Sequence, residues 1–222
     1  MSRLRNYLKS ISKPFLNKGM ELYYSKPRKY TYKGIEVLVD PSVFPPQLTL
    51  STRILLDFIS EIDLKNKTFL ELGCGSGIIS LYASKKGAIV TASDINDIAL
   101  ENLKEASIKN NLEVQTIFSD LFEKLSGEAF DYIIINPPYY PKDPKDIKEK
   151  AWFCGKDFDY FKMLLLQLPS FLSEDNSTFI ILSEDCDIQK ITEIASQNQI
   201  DLIEDCRITK FGETNFIYRT NR

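Results

Sequence analysis

The sequence predicts an α/β fold: a mostly parallel seven-stranded sheet with helices on both faces and a C-terminal antiparallel hairpin. Three observations predict it. From about residue 50 onward, short apolar runs alternate with segments of helical periodicity. A glycine-rich turn, Glu71-Leu72-Gly73-Cys74-Gly75-Ser76-Gly77, follows the first of these runs and opens a helix. The last two runs have no helical segment between them, so they pair antiparallel at one edge.

The elements follow in order. Leu4, Leu8, Ile11 and Phe15 recur on one face of an amphipathic helix with basic residues opposite, and Lys13-Pro14 ends or kinks it. Residues 30–33 and 35–39 flank Gly34 and predict a hairpin, and 40–46 is a turn-rich loop. A helix is predicted over about 50–60, with Ile54, Leu55 and Phe58 inward and Ser51 or Thr52 near its start. Strands are then predicted at 68–72, 88–93, 114–118, 130–135, 178–182, 200–206 and 215–218. Helices are predicted at 77–86, 98–110, 160–172 and 188–197. Residues 141–150 are dense in Lys, Asp and Pro and read as a mobile loop. The domain organisation expected is a basic N-terminal arm or helix over 1–34 and one α/β domain over 35–222.

With 222 residues the chain is long enough for one well-buried α/β domain plus a short extension. No apolar run approaches the ~18 residues of a membrane span, so no membrane contact is expected. Arg3, Arg5, Lys9 and Lys13 interrupt every apolar stretch of the N-terminus, unlike a secretory signal. The chain has no histidine, and Cys74, Cys154, Cys186 and Cys206 form no C-x-x-C pair. No metal site and no histidine base are therefore expected. The cysteines read as small buried thiols and the protein as cytoplasmic. Residues 1–34 hold nine Lys or Arg against Glu21, a net of +8, which leaves −11 for the rest of a chain of net charge −3. A basic arm on an acidic body suits RNA, DNA or an acidic protein partner, or else a solvated helix face.

Glycines at alternate positions let the chain turn sharply and let a ligand approach bare backbone. Asp94 comes 21 residues after Gly73, at the end of the second strand of the sheet, where a carboxylate takes the hydroxyls of a ribose. Ile95 follows it. This Rossmann-like layout is shared by two cofactor classes. A dinucleotide site prefers G-x-G-x-x-G, whereas here the third glycine arrives one residue early and Glu71 precedes the turn. An acid there suits a cationic sulfonium and amino group better than a pyrophosphate. The expected cofactor is S-adenosyl-L-methionine, with S-adenosyl-L-homocysteine as product; NAD is the alternative. Cys74, Gly75 and Gly77 belong to the same cradle. Asp120 at the end of the third strand can accept from an adenine amine, with Leu121 beside the ring, or else cap the following turn.

Asn136-Pro137-Pro138-Tyr139 follows the apolar run 132–135, at the carboxyl end of the fourth strand. Open α/β sheets bind ligands at such ends. An amide or aryl amine delocalises its nitrogen lone pair. Hydrogen bonds from its two N–H groups to the Asn136 side-chain oxygen and the Pro137 carbonyl would restore electron density on that nitrogen. The two prolines fix the carbonyl's direction. Tyr139 would stack on the flat group. The bland alternative is a rigid Pro-Pro turn with a packing tyrosine.

Together, Glu71–Gly77, Asp94, Asp120 and Asn136-Pro137-Pro138-Tyr139 resemble the class I methyltransferases that modify release-factor glutamines or the exocyclic amine of adenine. The likeness covers roughly residues 40–220. Val43-Phe44-Pro45-Pro46 through Ser51-Thr52 and Leu55-Leu56-Asp57 is most similar to the compact branch of the HemK-like release-factor glutamine methyltransferases, although Pro45-Pro46-Gln47-Leu48 lacks that segment's usual acids. The resemblance implies cofactor contacts from Thr52, Glu71, Gly73, Asp94 and Asp120, with Asn136 also against the cofactor. It implies that Asn136 and Tyr139 hold the substrate amide and that Ala151-Trp152 with Gly155 shapes the substrate side. It also implies a small zinc-binding activator subunit as a partner. Three functions stay open at this point: methylation of a protein glutamine, as in a translation release factor; methylation of adenine in RNA or DNA through the basic arm; and a non-catalytic binding role.

Overall fold

A computed structural model describes residues 25–47 and 49–221. The helix expected over residues 4–15 lies outside them. The described chain opens with a hairpin of β1 (Arg28–Tyr32) and β2 (Ile35–Val39), joined by the two residues Lys33 and Gly34. Alternation buries Ile35, Val37 and Val39. The Asn110 side chain extends the hairpin's bonding, accepting from the Glu36 N–H at 2.9 Å and donating to the Glu36 carbonyl at 2.8 Å.

Helix α1 (Leu50–Ser60) buries Ile54, Leu55, Leu56 and Ile59. Its last carbonyls are capped from a distance: Lys86 Nζ donates to the carbonyls of Ile59 (2.9 Å), Ser60 (2.5 Å) and Ile62 (2.5 Å). A cation at a helix C-terminus also opposes the helix dipole.

The main sheet has seven strands, as expected. They are β3 (Thr68–Leu72), β4 (Ile89–Asp94), β5 (Gln115–Phe118), β6 (Tyr132–Ile135), β7 (Ser177–Ser183), β8 (Asp201–Lys210) and β9 (Glu213–Asn221). Their spatial order is β5-β4-β3-β6-β7-β9-β8. The first five are parallel, and the β8–β9 hairpin joins antiparallel through β9. Phe69, Leu70, Ile133 and Ile135 are fully buried, as central parallel strands require. Two apolar layers cover the sheet. Helices α1, α2 (Ile78–Lys85) and α3 (Asp97–Asn110) with the first hairpin form one. Helices α5 (Asp159–Gln167) and α6 (Ile188–Gln197) form the other. Among the described residues, no helix is long and apolar enough to cross a membrane.

Strand order reverses between β3 and β6, and Leu72 pairs with Ile135. The residues that follow, Gly73 and Asn136, therefore start side by side at the switch point, where such sheets open a crevice.

Three expectations need correction. The helix predicted over 160–172 ends at Gln167 and tightens into a 3₁₀ turn, Leu168–Ser170. Pro169 lacks the N–H needed to continue it. The last two strands run further than predicted, with a bulge at Asp205 that bends the exposed edge. The segment expected as a mobile loop over 141–150 is tied down. Asp146 caps a one-turn helix α4 (Ile147–Lys150) by accepting from the Glu149 N–H, while Glu149 accepts from the Lys145 N–H and pairs with Lys142. Tyr140 and Phe153 close its base as an isolated bridge.

Candidate active site

The glycine turn after β3 is anchored to β4: the N–H groups of Gly73 and Cys74 both donate to the Ser93 carbonyl at 2.9 Å. Gly73 adopts φ +73°, and a Cβ built there meets nothing within 4 Å because it would project into an adjoining cavity. Gly77, at φ +68°, differs. A Cβ there would strike the Leu103 side chain, so its bareness serves the packing of α2 on α3. Gly77 does not line the cavity.

The cavity holds about 390 Å³, within the usual range for small-ligand sites. Its floor is Glu71 to Gly75, Asp94 and Ile95, and one flank is Asp120, Leu121 and Asn136. Thr52 of α1 reaches it, beside Val43 and Phe44. Of the residues expected to bind a cofactor, all but Gly77 thus line one space.

Glu71 is buried and accepts from the Ser80 backbone N–H at 2.8 Å and from the Ser80 hydroxyl. Burial pushes its carboxyl up to about 8, against those two hydrogen bonds and with a contribution from Asp94. Asp94 accepts from Gly75 N–H at 2.8 Å and Asn96 N–H at 2.9 Å, and burial raises its pKa as well. Asp94, with about four lone-pair sites, thus keeps acceptor capacity for a ligand donor. Burial and the two acids push the Cys74 thiol well up, which leaves it an inert wall.

At Asp120, the capping role falls to its neighbour. The Ser119 hydroxyl accepts from the Lys124 N–H at 3.0 Å and donates to the Leu121 carbonyl at 2.8 Å. The exposed Asp120 carboxylate is therefore not the cap that the alternative reading gave it.

The Asn136-Pro137-Pro138-Tyr139 motif divides at the cavity boundary. Asn136 and Pro138 line it; Pro137 is buried behind. Among the described residues the Asn136 side chain has no hydrogen-bond partner. Tyr139 does not line the cavity; its ring is 4.7 Å from that of Tyr140. Burial, with Tyr140, Cys186 and Glu213 nearby, raises its pKa, so the phenol stays protonated.

A roof spans the cavity. The segment 140–154 leaves and returns through Tyr140, whose N–H donates to the Trp152 carbonyl (3.1 Å) and whose carbonyl accepts from the Cys154 N–H (3.0 Å). Pro144, Ile147, Lys150 and Ala151 from it line the cavity. Trp152 itself does not; it packs on Phe44, ring centroids 4.6 Å apart. Phe44, Ser93, Lys150, Tyr160 and Met163 line the cavity without having been expected there as ligand contacts. Only Phe44 carried a signal, its place in the 43–57 segment.

The family model described as methyltransferase small domain matches residues 34–154. A Methanocaldococcus jannaschii protein with the provisional name protein N5-glutamine methyltransferase is 34% identical over 157 residues, 68% of this chain and 77% of that one. The ribosomal RNA small subunit methyltransferase C of Actinobacillus pleuropneumoniae is 32% identical over 116 residues, 51% of this chain and 35% of its own length. The match thus spans about a third of that longer relative. Two solved structures share the fold. The T. thermophilus 16S rRNA methyltransferase RsmC in complex with AdoMet and guanosine has TM-score 0.62 at 17% identity, covering 87% of this chain and 50% of that one. The E. cuniculi Mtq2–Trm112 complex has TM-score 0.61 at 19% identity, covering 82% and 99%.

Proposed function

The chain belongs to the methyltransferase small domain family, and from that membership we propose that it methylates the side-chain amide of a protein glutamine, with S-adenosylmethionine as donor. The observation that carries the reading is the unpartnered Asn136 amide at the switch point, beside Gly73 and open to the cavity.

The cofactor fits the residues present: bare backbone at Gly73 and acids at Glu71, Asp94 and Asp120. When bound, it supplies an electrophilic methyl group on a sulfonium. Asp94 accepts from ribose hydroxyls and Asp120 from the adenine amine. Glu71, held by Ser80 beneath the glycine turn, would give up its proton as the cationic cofactor binds and then oppose its charge. Asn136 Oδ1 accepts an N–H group of the acceptor amide, aims its nitrogen and raises its electron density, while buried Pro137 and its neighbour Pro138 fix the backbone that holds Asn136. No residue need act as a strong base, because the proton leaves after transfer.

Two features support a protein acceptor. The glutamine methyltransferase relative is matched over most of its length. Beside the motif, Tyr140 has the carboxylates of Asp185 and Glu213 as neighbours, a surface that repels phosphate. A place among the translation components of the cytoplasm belongs to the same proposal, as does assistance from a small activator subunit.

The test is incubation with labelled cofactor and either purified release factors and ribosomal proteins or bulk tRNA and rRNA. Label on a protein glutamine is expected. Label confined to nucleic acid overturns the reading in favour of a nucleobase amine, and digestion to nucleosides tells whether it is adenine's.

A further inference from the structure

At the start of α5, Tyr160 enters the cavity. Its backbone N–H donates to the Cys154 carbonyl at 3.0 Å, and its ring meets Phe161 edge-on, centroids 5.6 Å apart at 85°. The charges nearest its phenol are Asp94 and Asp120, and burial keeps the hydroxyl protonated. No described residue hydrogen-bonds to that hydroxyl. Ser93 lines the same cavity. It pairs with Leu72 of β3, whose side chain joins the layer covered by α5. Ser93 is 1% exposed and its hydroxyl has no partner.

A chemical gap lies between the two acids. A carboxylate only accepts hydrogen bonds, so Asp94 and Asp120 serve ribose hydroxyls and the adenine amine. The ring nitrogens of adenine also only accept. The Leu121 backbone N–H beside Asp120 can serve one of them; leaving the others buried without donors is costly. Tyr160 and Ser93 are side-chain donors lining the cavity with no partner of their own.

We propose that Tyr160 reads the adenine ring, its phenol donating to a ring nitrogen between the ribose and amine contacts, with Ser93 as the second donor facing the base. The inference rests on S-adenosylmethionine as cofactor and adds adenine-selecting residues to that site.

Calorimetric titration of the full chain with S-adenosylhomocysteine and its 1-deaza, 3-deaza and 7-deaza analogues tests it. Tyr160→Phe is expected to weaken S-adenosylhomocysteine by roughly three- to tenfold. One deaza analogue is expected to lose the same factor on the wild-type chain and then to be indifferent to Tyr160→Phe. Ser93→Ala is expected to weaken S-adenosylhomocysteine by a smaller factor at unchanged melting temperature of the free chain. Equal weakening of all four ligands by Tyr160→Phe would mark a packing role and overturn the proposal, as would no weakening at all. Failure of the wild-type chain to bind S-adenosylhomocysteine would overturn the cofactor reading itself, and this inference with it.

Discussion

The Asp94 carboxylate accepts the backbone N–H of Gly75 at 2.8 Å, tying the end of β4 to the glycine turn after β3. One side chain thus shapes the cradle and offers lone pairs to its ligand. Asp94→Ala is expected to weaken cofactor binding by about 1–3 kcal/mol, the scale for leaving buried partners unpaired. Asp94→Asn, which keeps one acceptor oxygen, should lose less. An unchanged dissociation constant in Asp94→Ala would remove the residue from the ribose contact.

Asn136 has no structural partner to lose. Asn136→Ala should therefore leave melting temperature and cofactor affinity within a few-fold of wild type while lowering turnover roughly 100-fold or more, as for a group used at the reacting centre. Single-turnover kinetics with the identified substrate measure this. Near-normal turnover would refute the assignment.

Glu71 makes the ligand-free fold sensitive to pH. The folded chain holds its proton up to about pH 8, whereas an unfolded chain releases it in the ordinary carboxylate range. Between those limits the folded state binds more protons, so stability falls as pH rises. Asp94 contributes in the same direction. A cationic ligand favours ionised Glu71, so cofactor affinity should rise over the same window. Melting curves and titrations from pH 5 to 9, compared with Glu71→Gln, isolate the effect. Equal slopes in both proteins would contradict it.

Gly77 separates packing from binding within the glycine turn. Gly77→Ala adds a methyl group against fully buried Leu103 at a positive φ. Denaturation should show a loss of about 2–3 kcal/mol, with cofactor affinity of the remaining folded protein little altered. The reverse pattern would return Gly77 to the cofactor site.

Lys86 caps three carbonyls at the end of α1. Lys86→Met keeps the aliphatic stem and removes the donors, and should cost about 2 kcal/mol in urea unfolding. A loss below a few tenths would show that water replaces the ammonium.

Where patterning is local, the sequence is a sufficient guide. The strand Thr68–Leu72 and the helix Ile188–Gln197 fall where their apolar periodicities end. The cavity floor was legible because the turn and its acids follow the strand order. The roof was misread from its Lys, Asp and Pro content, yet Asp146-Ile147-Lys148-Glu149 is a capping pattern of the kind that starts helices. Tyr160 and Ser93 carried no local mark. They reach the cavity only because α5 folds back over the sheet, a relation between distant segments that no short motif encodes. Tyr139, expected over the acceptor, packs on Tyr140 outside the cavity lining.

The contact between Phe44 and Trp152 has a practical side, because Trp152 is the chain's single tryptophan. Its indole sits where the roof meets Phe44, a lining residue, next to the cavity and outside its lining. The protein therefore carries an intrinsic optical gauge one side chain away from the ligand space. A shift in its emission needs no label and no assignment among several fluorophores. Stopped-flow traces of that one signal would time the arrival of a ligand against Phe44.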